Sequence, residues 1–416
     1  MKDIPGQARA GAEPVRILVI GAGHAGAVAA FAARRADRTA EIELVGEEAH
    51  LPYERPPLSK EALSGSAAIA PKFAAAAYAE ARIAVATGVR ATVIDRARKT
   101  VQATDGQVRP YDRLVLASGS RVRRWPGGEA LGRRLCYLRT VEDAAALRGR
   151  LRPGMRVAVI GAGFIGLEVA ASARLVGAEV AVFDRAPTVL ARVLPPAAAA
   201  VVEARHRAQG VALHLGAAIA DLGPDGDGIV VATDRGTVQA DFAVVGIGVV
   251  PNTELAAEAG LEVDDGLVVD ECGHSSDPHI FGAGEVTRHP VGRTGVRQRI
   301  ESWQVAESQA AAAGASAAGC PAVYDAVPWF WSDQYGMNIQ SAGDLRGPGE
   351  WIVRGEPAGS HSCYRLDEEG RILGAATFDA AKDMAAIRRL MQRETRVAAA
   401  LLRDPGVPMR QLLAIP

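Results

Sequence analysis

The sequence predicts an α/β protein: two Rossmann-like units followed by a C-terminal α+β domain. Three observations carry that expectation. The pentapeptide Val-Ile-Gly-Ala-Gly occurs twice, at residues 19–23 and 159–163. Each copy follows a short run rich in Val and Ile and opens an Ala-rich stretch of helical character. Beyond Pro328 the pattern changes to short strand-like runs divided by Gly turns, closing on a helix-like segment over 383–402.

A chain of 416 residues has room for two or three domains, and 49% apolar residues are ample for their cores. Forty-seven basic and 48 acidic side chains leave a net charge of −1. That balance argues against nucleic acid or an anionic membrane as the main partner, because both normally demand a basic surplus. Residues 1–14 are polar and Gly/Ala-rich, lack the apolar segment of a signal peptide, and are expected to form a disordered tail. The apolar stretch 17–33 is interrupted by Gly21, Gly23, His24 and Gly26, so it reads as strand, turn and helix rather than a membrane span. Cys136, Cys272, Cys320 and Cys363 are too far apart in sequence for a C-x-x-C redox pair or a clustered iron–sulfur site. They are expected to be reduced, buried small residues of a cytoplasmic protein, and no metal site is expected.

The first loop runs Gly21-Ala-Gly23-His-Ala-Gly26 and the second Gly161-Ala-Gly163-Phe-Ile-Gly166. After each helix a second strand leads to an acid, Glu47 in the first unit and Asp184 in the second. Strand, glycine loop, helix, strand and acid together make the fingerprint of a dinucleotide site. The glycines permit a tight turn and close approach of backbone to a pyrophosphate. The helix N-terminus offers unpaired N–H groups and a favourable dipole, and the acid accepts hydrogen bonds from a ribose. One such loop is weak evidence. Two in full context predict two dinucleotides, a flavin in one unit and a nicotinamide in the other. Asp184 favours NADH, because a carboxylate pairs with a free 2′-hydroxyl and repels a 2′-phosphate; the neighbouring Arg185 could accommodate that phosphate.

Further stretches are as specific. They are Pro52-Tyr-Glu-Arg-Pro-Pro-Leu-Ser-Lys60, Leu116-Ala-Ser-Gly-Ser-Arg121, Tyr137-Leu-Arg-Thr140 and Gly246-Ile-Gly-Val-Val-Pro-Asn252. Ser276-Asp-Pro-His-Ile-Phe-Gly-Ala-Gly284, Arg299-Ile-Glu-Ser-Trp303 and Pro328-Trp-Phe-Trp-Ser-Asp-Gln334 complete the set. With these, from about Val15 to its C-terminus, the chain resembles the flavoprotein ferredoxin reductases that serve bacterial oxygenases, the putidaredoxin-reductase and biphenyl-dioxygenase-reductase type. The resemblance implies a glutathione-reductase-like FAD/NAD fold. An FAD domain is split over 1–122 and 247–325, an NADH domain at 123–246 is inserted between, and a C-terminal domain covers 326–416. The Arg/Pro/Gly stretch 121–128 and the turn at Val250-Pro-Asn252 fall at those seams.

The implied activity is that of a ferredoxin–NAD(+) reductase. FAD takes two electrons from NADH and passes them singly to a [2Fe–2S] ferredoxin, a separate protein because this chain has no cluster ligands. The alternatives are the same fold with another acceptor (a quinone, dehydroascorbate, O2 or a nitrite reductase) and a redox-sensing flavoprotein resembling apoptosis-inducing factor. The lack of paired cysteines removes the disulfide-reductase branch.

By resemblance Lys60 lies beside the flavin near N5, where an ammonium would stabilise negative charge on the reduced ring. Glu168 pairs with it where nicotinamide meets flavin. The plainer readings are a solvated surface lysine and an acid serving the helix dipole, the latter worth about 0.3–1 kcal/mol. The FAD set is Gly21, Gly23, Ala25, Gly26, Glu47, Arg55, Lys60, Ala91, Arg139, Glu285 and Trp303. Arg55 and Arg139 match contacts to the phosphate or adenine side, and Trp303 matches a plate against the ring. The NAD set is Gly161, Gly163, Ile165, Gly166, Asp184, Arg192 and Gly248. Trp329 and Trp331 are expected in the core.

One position departs from the family. Glu285 follows Gly284 where the family has an Asp that accepts a hydrogen bond from the ribityl chain. The extra methylene carries the carboxylate further out, and Gly282, where the family often has Ala, is expected to give room. Docking of an acidic ferredoxin calls for a local basic rim. Arg293, Arg297 and Arg299, with Arg388 and Arg389 on the terminal helix, are the candidates, against the reading of arginines on a solvated face.

Overall fold

The computed structural model describes residues 13–65, 68–292, 295–356 and 359–415. Residues 1–12 of the predicted tail, and Arg293, lie outside the described residues.

Two five-stranded parallel sheets are built to one plan. The first runs Ile280–Gly282, Arg113–Leu116, Arg16–Ile20, Glu41–Val45, Ile83–Ala86. The second runs Ala212–Leu215, Glu179–Asp184, Arg156–Ile160, Phe242–Val245, Leu135–Cys136. In each, the strand entering the glycine loop sits centrally and is buried on both faces after its first residue. Such a strand has no solvent side, so its sequence reads as an unbroken apolar run.

Helix His24–Ala36 packs against helix Ala310–Ala317 so closely that a Cβ on Gly314 would stand 2.2 Å from the Ala29 carbonyl oxygen. Ala27, Ala30 and Ala33 share one core with Ala310, Ala313 and Ala317. The alanines that signal helix in the sequence are therefore also what lets the two helices approach.

The strand Ile280–Gly282 joins the first sheet after the second unit is complete, so the first unit is discontinuous in sequence. The two crossings between units lie side by side as an antiparallel ribbon, Ser120–Val122 with Val249–Pro251. The C-terminal sheet is antiparallel, in the order Trp329–Gln334, Met337–Gly343, Ile372–Phe378, His361–Leu366, Glu350–Gly355. Helix Ala381–Gln392 covers it, placing Met384, Ile387 and Leu390 in a core with Ile352, Tyr364 and Leu366.

Two expectations are corrected. The single helix over 383–402 is two, Ala381–Gln392 and Ala399–Arg403. Between them Glu394 takes a φ of +53°, and the buried Val397 donates its N–H to the Gly370 carbonyl at 2.9 Å. Tertiary pairing overrides the local helical pattern there. Of the four free cysteines only Cys363 is buried; Cys136 and Cys272 are partly exposed, and Cys320 is exposed where the chain leaves helix Ala310–Ala317. Among the described residues no helix is long and apolar enough to cross a membrane.

Candidate functional site

The glycine loops follow one packing rule. At Gly21 (φ +110°) a Cβ would stand 2.1 Å from the Ala117 carbonyl oxygen, and at Gly161 (φ +111°) 2.4 Å from that of Gly246. At Gly26 and Gly166 it would stand 1.9 Å and 2.0 Å from the carbonyl oxygens of Gly21 and Gly161. Gly23 and Gly163, by contrast, have nothing within 4 Å of that position. The first and third glycines thus answer to close packing inside the protein, and the middle one leaves open space before the helix. Gly23 and Gly163 cap helices His24–Ala36 and Phe164–Leu175 with no side-chain hydrogen bond, and neither first turn holds an acid. Free N–H groups facing open, non-acidic space suit a pyrophosphate, so the residues present fit a dinucleotide in each unit.

Beside the first loop lies a band of paired charges. The turn Gly284–Val286 packs on it: a Cβ on Gly284 would meet that of Ala25 at 2.5 Å. From this turn Glu285 accepts from Ser120 Oγ at 2.8 Å and from the Arg139 guanidinium. Those partners take up its extra methylene. Gly282 does not, because a Cβ there would meet Thr287 at 2.7 Å and Val269 at 2.9 Å, so the expected room is already filled. Arg139 also donates to the Ser120 carbonyl at 3.0 Å. Arg55 donates to the Arg139 carbonyl and, at 2.6 Å, to Glu48. Burial, and then the Arg55 charge, draw the Arg139 guanidinium below its usual value, but a guanidinium bonded to a carboxylate keeps its proton.

Glu47, the predicted ribose acid, is 70% exposed with Arg90 at 3.7 Å. The internal contacts at this strand end belong to Glu48, which also accepts from Tyr53. Ala91 opens strand Ala91–Asp95 opposite Ala103 and packs on the core behind the first sheet.

In the second unit Asp184 accepts from Ala162 N at 2.7 Å and from Ala186 N at 2.8 Å. The acid braces its own glycine loop, a role its spacing did not disclose. Arg185 is exposed beside it. A Cβ on Gly248 would be 3.8 Å from the Arg192 guanidinium. Ile165 is exposed at the start of helix Phe164–Leu175, next to Phe164, whose ring lies 4.2 Å from that of Phe330.

Where the units meet, Lys60 Nζ lies 2.8 Å from Glu168 Oε2, with side chains 15% and 2% exposed. The turn Pro56–Ser59, with prolines at its first two positions, delivers both Ser59 and Lys60 to helix Phe164–Leu175. Ser59 Oγ donates to Glu168, Ser172 Oγ donates to the Ser59 carbonyl at 2.7 Å, and Lys60 Nζ donates to the Pro56 carbonyl at 3.2 Å. A charge left alone in a buried pair costs about 3–5 kcal/mol, so each ion requires the other.

Trp303 stands edge-on to His24 at 5.3 Å and to Trp331 at 5.5 Å, with Lys72 Nζ 5.5 Å from its ring. Trp329 and Trp331, both expected in the core, are only partly buried: Trp331 faces this junction, and Trp329 stacks on it at 5.0 Å and packs against the C-terminal core from outside. A second charged cluster was not foreseen. His24 Nε2 is 2.6 Å from Glu307, and Lys72 Nζ is 2.9 Å from Glu307 and 3.0 Å from Glu54. Its members come from separate segments, so no local pattern announces it.

Of the arginines expected at the rim, Arg297 is exposed on strand Val296–Gln298 and Arg389 on helix Ala381–Gln392. Arg299 is 10% exposed and held by Glu301 at 2.7 Å and Asp265 at 3.4 Å, which leaves it turned inward and neutralised. Arg388 lies over Trp329, 4.9 Å from the ring centre.

Comparison with known proteins agrees with this geometry. The pyridine nucleotide-disulphide oxidoreductase family matches residues 15–310, and the reductase C-terminal family matches residues 329–413. The chain is 45% identical over 401 residues to the ferredoxin–NAD(+) reductase component of the anthranilate 1,2-dioxygenase system of Burkholderia cepacia, covering 95% of this chain and 98% of that one. It is 38% identical over 397 residues to the ferredoxin–NAD(+) reductase component of the p-cumate 2,3-dioxygenase system of Pseudomonas putida, again covering 95% and 98%. The crystal structure of the covalent putidaredoxin reductase–putidaredoxin complex matches with a TM-score of 0.91 at 35% identity, over 96% of this chain and 98% of that one. With both family models and both relatives in agreement over nearly its whole length, the chain belongs to the pyridine nucleotide-disulphide oxidoreductases, among the ferredoxin–NAD(+) reductases of oxygenase systems.

Proposed function

We propose that the chain is the NADH-oxidising FAD reductase of an oxygenase system, delivering electrons one at a time to a separate [2Fe–2S] ferredoxin that serves a P450 or Rieske enzyme. The observation that carries this reading is the Lys60–Glu168 pair, 2.8 Å apart and almost dry, between two dinucleotide cradles. FAD, when bound, takes two electrons together from NADH and gives them up singly. The protein's part is to hold, orient and exclude water. Free N–H groups of helices His24–Ala36 and Phe164–Leu175 would hold the pyrophosphates. Arg55, Arg139 and Ser120 flank the first cradle, and Glu285, held by Ser120 and Arg139, would offer its carboxylate to the ribityl chain. Asp184 keeps the second loop in shape, and its charge disfavours a 2′-phosphate, so NADH is the reductant. Lys60 keeps a positive charge ready for the negative charge of the reduced ring, and Glu168 fixes its direction. Trp303, edge-on to Trp331, gives the junction an apolar wall.

The same reading divides the chain into an FAD domain over 1–122 and 247–325, an NADH domain over 123–246 and a C-terminal domain over 326–416. It places the protein in the cytoplasm, where free cysteines stay reduced. An acidic ferredoxin is steered by a basic rim made by Arg297 and Arg389, to which the paired Arg299 adds little.

The test is the visible spectrum of the purified protein without oxygen. A yellow protein bleached by NADH and hardly by NADPH, and passing electrons to cytochrome c only when a [2Fe–2S] ferredoxin is added, is the expected result. A protein that NADH cannot bleach overturns the reading. One that bleaches but reduces quinone or O2 as fast as ferredoxin overturns the acceptor.

A further inference from the structure

Glu168 is held by more than Lys60, and the inference drawn from this rests on the function proposed above. Helix Phe164–Leu175 carries Phe164 and Glu168 one turn apart on one face. Strand Trp329–Gln334, at the edge of the C-terminal sheet, presents Phe330, Ser332 and Gln334 at alternate positions on one side. The two faces meet residue against residue: Phe164 with Phe330 at 4.2 Å between ring centres, and Glu168 Oε1 with Ser332 Oγ at 2.5 Å. The series continues inward. Gln334 Nε2 donates to Ser332 Oγ at 2.9 Å, and His206 Nε2 lies 2.7 Å from Gln334 Oε1. Ser332, Gln334 and His206 are 0%, 1% and 0% exposed.

Chemistry fixes the direction of every bond. A carboxylate only accepts, so the Ser332 hydroxyl donates to Glu168 and its lone pairs are left for the Gln334 amide. The Gln334 carbonyl can only accept, so His206 carries its proton on Nε2; its Nδ1 is buried without a partner. The result is a one-way chain of donors, from helix Pro196–Ala208 through an edge strand to the carboxylate opposite Lys60. A buried polar chain stabilises little compared with apolar packing, but every link from His206 Nε2 to Glu168 is made, and such a run of paired groups specifies one geometry. The two carboxylate oxygens also differ. Oε2 is shared by Lys60 and Ser59, whereas Oε1 is met by Ser332. Without that hydroxyl Oε1 loses its donor, and the orientation of the carboxylate rests on the Lys60 and Ser59 contacts to Oε2 alone.

We propose that Ser332 is a positioning residue for hydride transfer: its hydroxyl fixes the Glu168 carboxylate, and so the direction of the Lys60 ammonium, while Gln334 and His206 fix Ser332. The C-terminal domain then completes the site at the junction of the two dinucleotide units.

The test is a double-mutant cycle on the FAD-loaded protein with Ser332→Ala, Glu168→Ala and the pair. Anaerobic flavin reduction by NADH and the thermal unfolding midpoint are followed on the same samples. Ser332→Ala is expected to lower the limiting reduction rate on the order of tenfold, the scale of one hydrogen bond to a charge, with the NADH dissociation constant changed less than about twofold. In the Glu168→Ala background it is expected to cost nothing further in rate and to leave the midpoint unchanged or raised. Ser332→Cys, which keeps the shape and weakens the donor, serves if the Ala variant does not fold, with a smaller loss of the same kind. An unchanged limiting rate with a lowered midpoint would make Ser332 a packing residue and overturn the proposal. Equal losses in both backgrounds would also overturn it. Failure of NADH to reduce the unmodified protein would instead strike at the function proposed above, and the midpoint cycle would still decide whether Ser332 acts through Glu168.

Discussion

The two glycine loops share a pentapeptide and a packing rule, yet their surroundings differ at almost every other point. The first helix begins with His24, tied to Glu307, and is sealed against helix Ala310–Ala317. The second begins with Phe164, its ring tilted against that of Phe330, and carries the buried Glu168 one turn later. Glu47 stands in solvent at the end of its strand, while Asp184 accepts two backbone N–H groups of its own unit. The lesson is that backbone geometry is duplicated and chemistry is not. Glycines answer to backbone carbonyls of their own unit, Ala117 and Gly246 for the first of each loop and the first glycine itself for the third. The residues that make one site differ from the other are placed by segments brought from elsewhere in the chain.

The largest expected effect tests the shared part. Gly21→Ala and Gly161→Ala each force a Cβ within 2.1 Å and 2.4 Å of a carbonyl oxygen, at a φ that L-residues rarely adopt. Strain of this kind costs roughly 1–3 kcal/mol before any clash is counted. Gly21→Ala is expected to yield a protein that retains almost no flavin. Gly161→Ala is expected to keep its flavin and lose reduction by NADH. Absorbance of the purified variants, before and after NADH, separates the two. The comparison breaks if both variants lose flavin equally, for then the loops do not serve separate nucleotides.

Next comes the residue that joins the units. Glu168→Ala leaves Lys60 without its partner, and for a fully buried pair such a loss is worth about 3–5 kcal/mol. Lys60 is 15% exposed and can reach water, so the lower end applies. The expected outcome is a fall of about 10²-fold in the rate of flavin reduction with FAD content unchanged. Stopped-flow measurement checks it; an unchanged rate and NADH affinity would reduce the pair to a structural one.

How much of this the sequence disclosed follows the same division. The loops, their strands and the parallel sheets were legible because each signal is local: an apolar run, a glycine triplet, an Ala-rich turn. Lys60 and Glu168 were legible only through family resemblance, since Ser59 meets Glu168 across 109 residues of chain. Ser332 meets it across 164, and His206 lies on a helix whose pattern signals nothing but amphipathicity. Gly282 shows the opposite failure: the missing side chain was noted, but what fills the space depends on Thr287, Val269 and Leu267. The break between helices Ala381–Gln392 and Ala399–Arg403 likewise depends on the distant Gly370.

A smaller effect sharpens the contrast between the acids. Asp184→Ala removes two bonds to the second loop, each worth about 1.5–3 kcal/mol at most because the acceptor is charged. It is expected to raise the KM for NADH at least about tenfold and to narrow the preference over NADPH. Glu47→Ala removes an exposed carboxylate and should change the free energy of unfolding by no more than a surface substitution does, under about 0.5 kcal/mol. Steady-state kinetics with both nucleotides, beside a melting curve for each variant, tests the pair. If Glu47→Ala proves as damaging as Asp184→Ala, solvent exposure is a poor guide to which acid supports its loop.

The smallest effect concerns His24, for which the second unit has a Phe. The His24 hydrogen bond, and then Lys72, hold the Glu307 carboxyl at about 2, below its ordinary value of 4.5. A carboxylate held down in the folded state contributes stability above its unfolded value and loses that contribution as pH falls toward its folded one. The acid-sensitive window for this contact therefore runs from about 4.5 down to about 2. Glu307 is 37% exposed, so solvent screens the effect, and a shift of only about 1–2 °C in the unfolding midpoint is expected. Midpoints recorded from pH 5 to pH 3 should fall more steeply for the unmodified protein than for Glu307→Gln, which has no carboxylate to protonate. Parallel curves would mean that His24 and Lys72 do no more for Glu307 than water does, and the first helix would then start, like the second, without an electrostatic anchor.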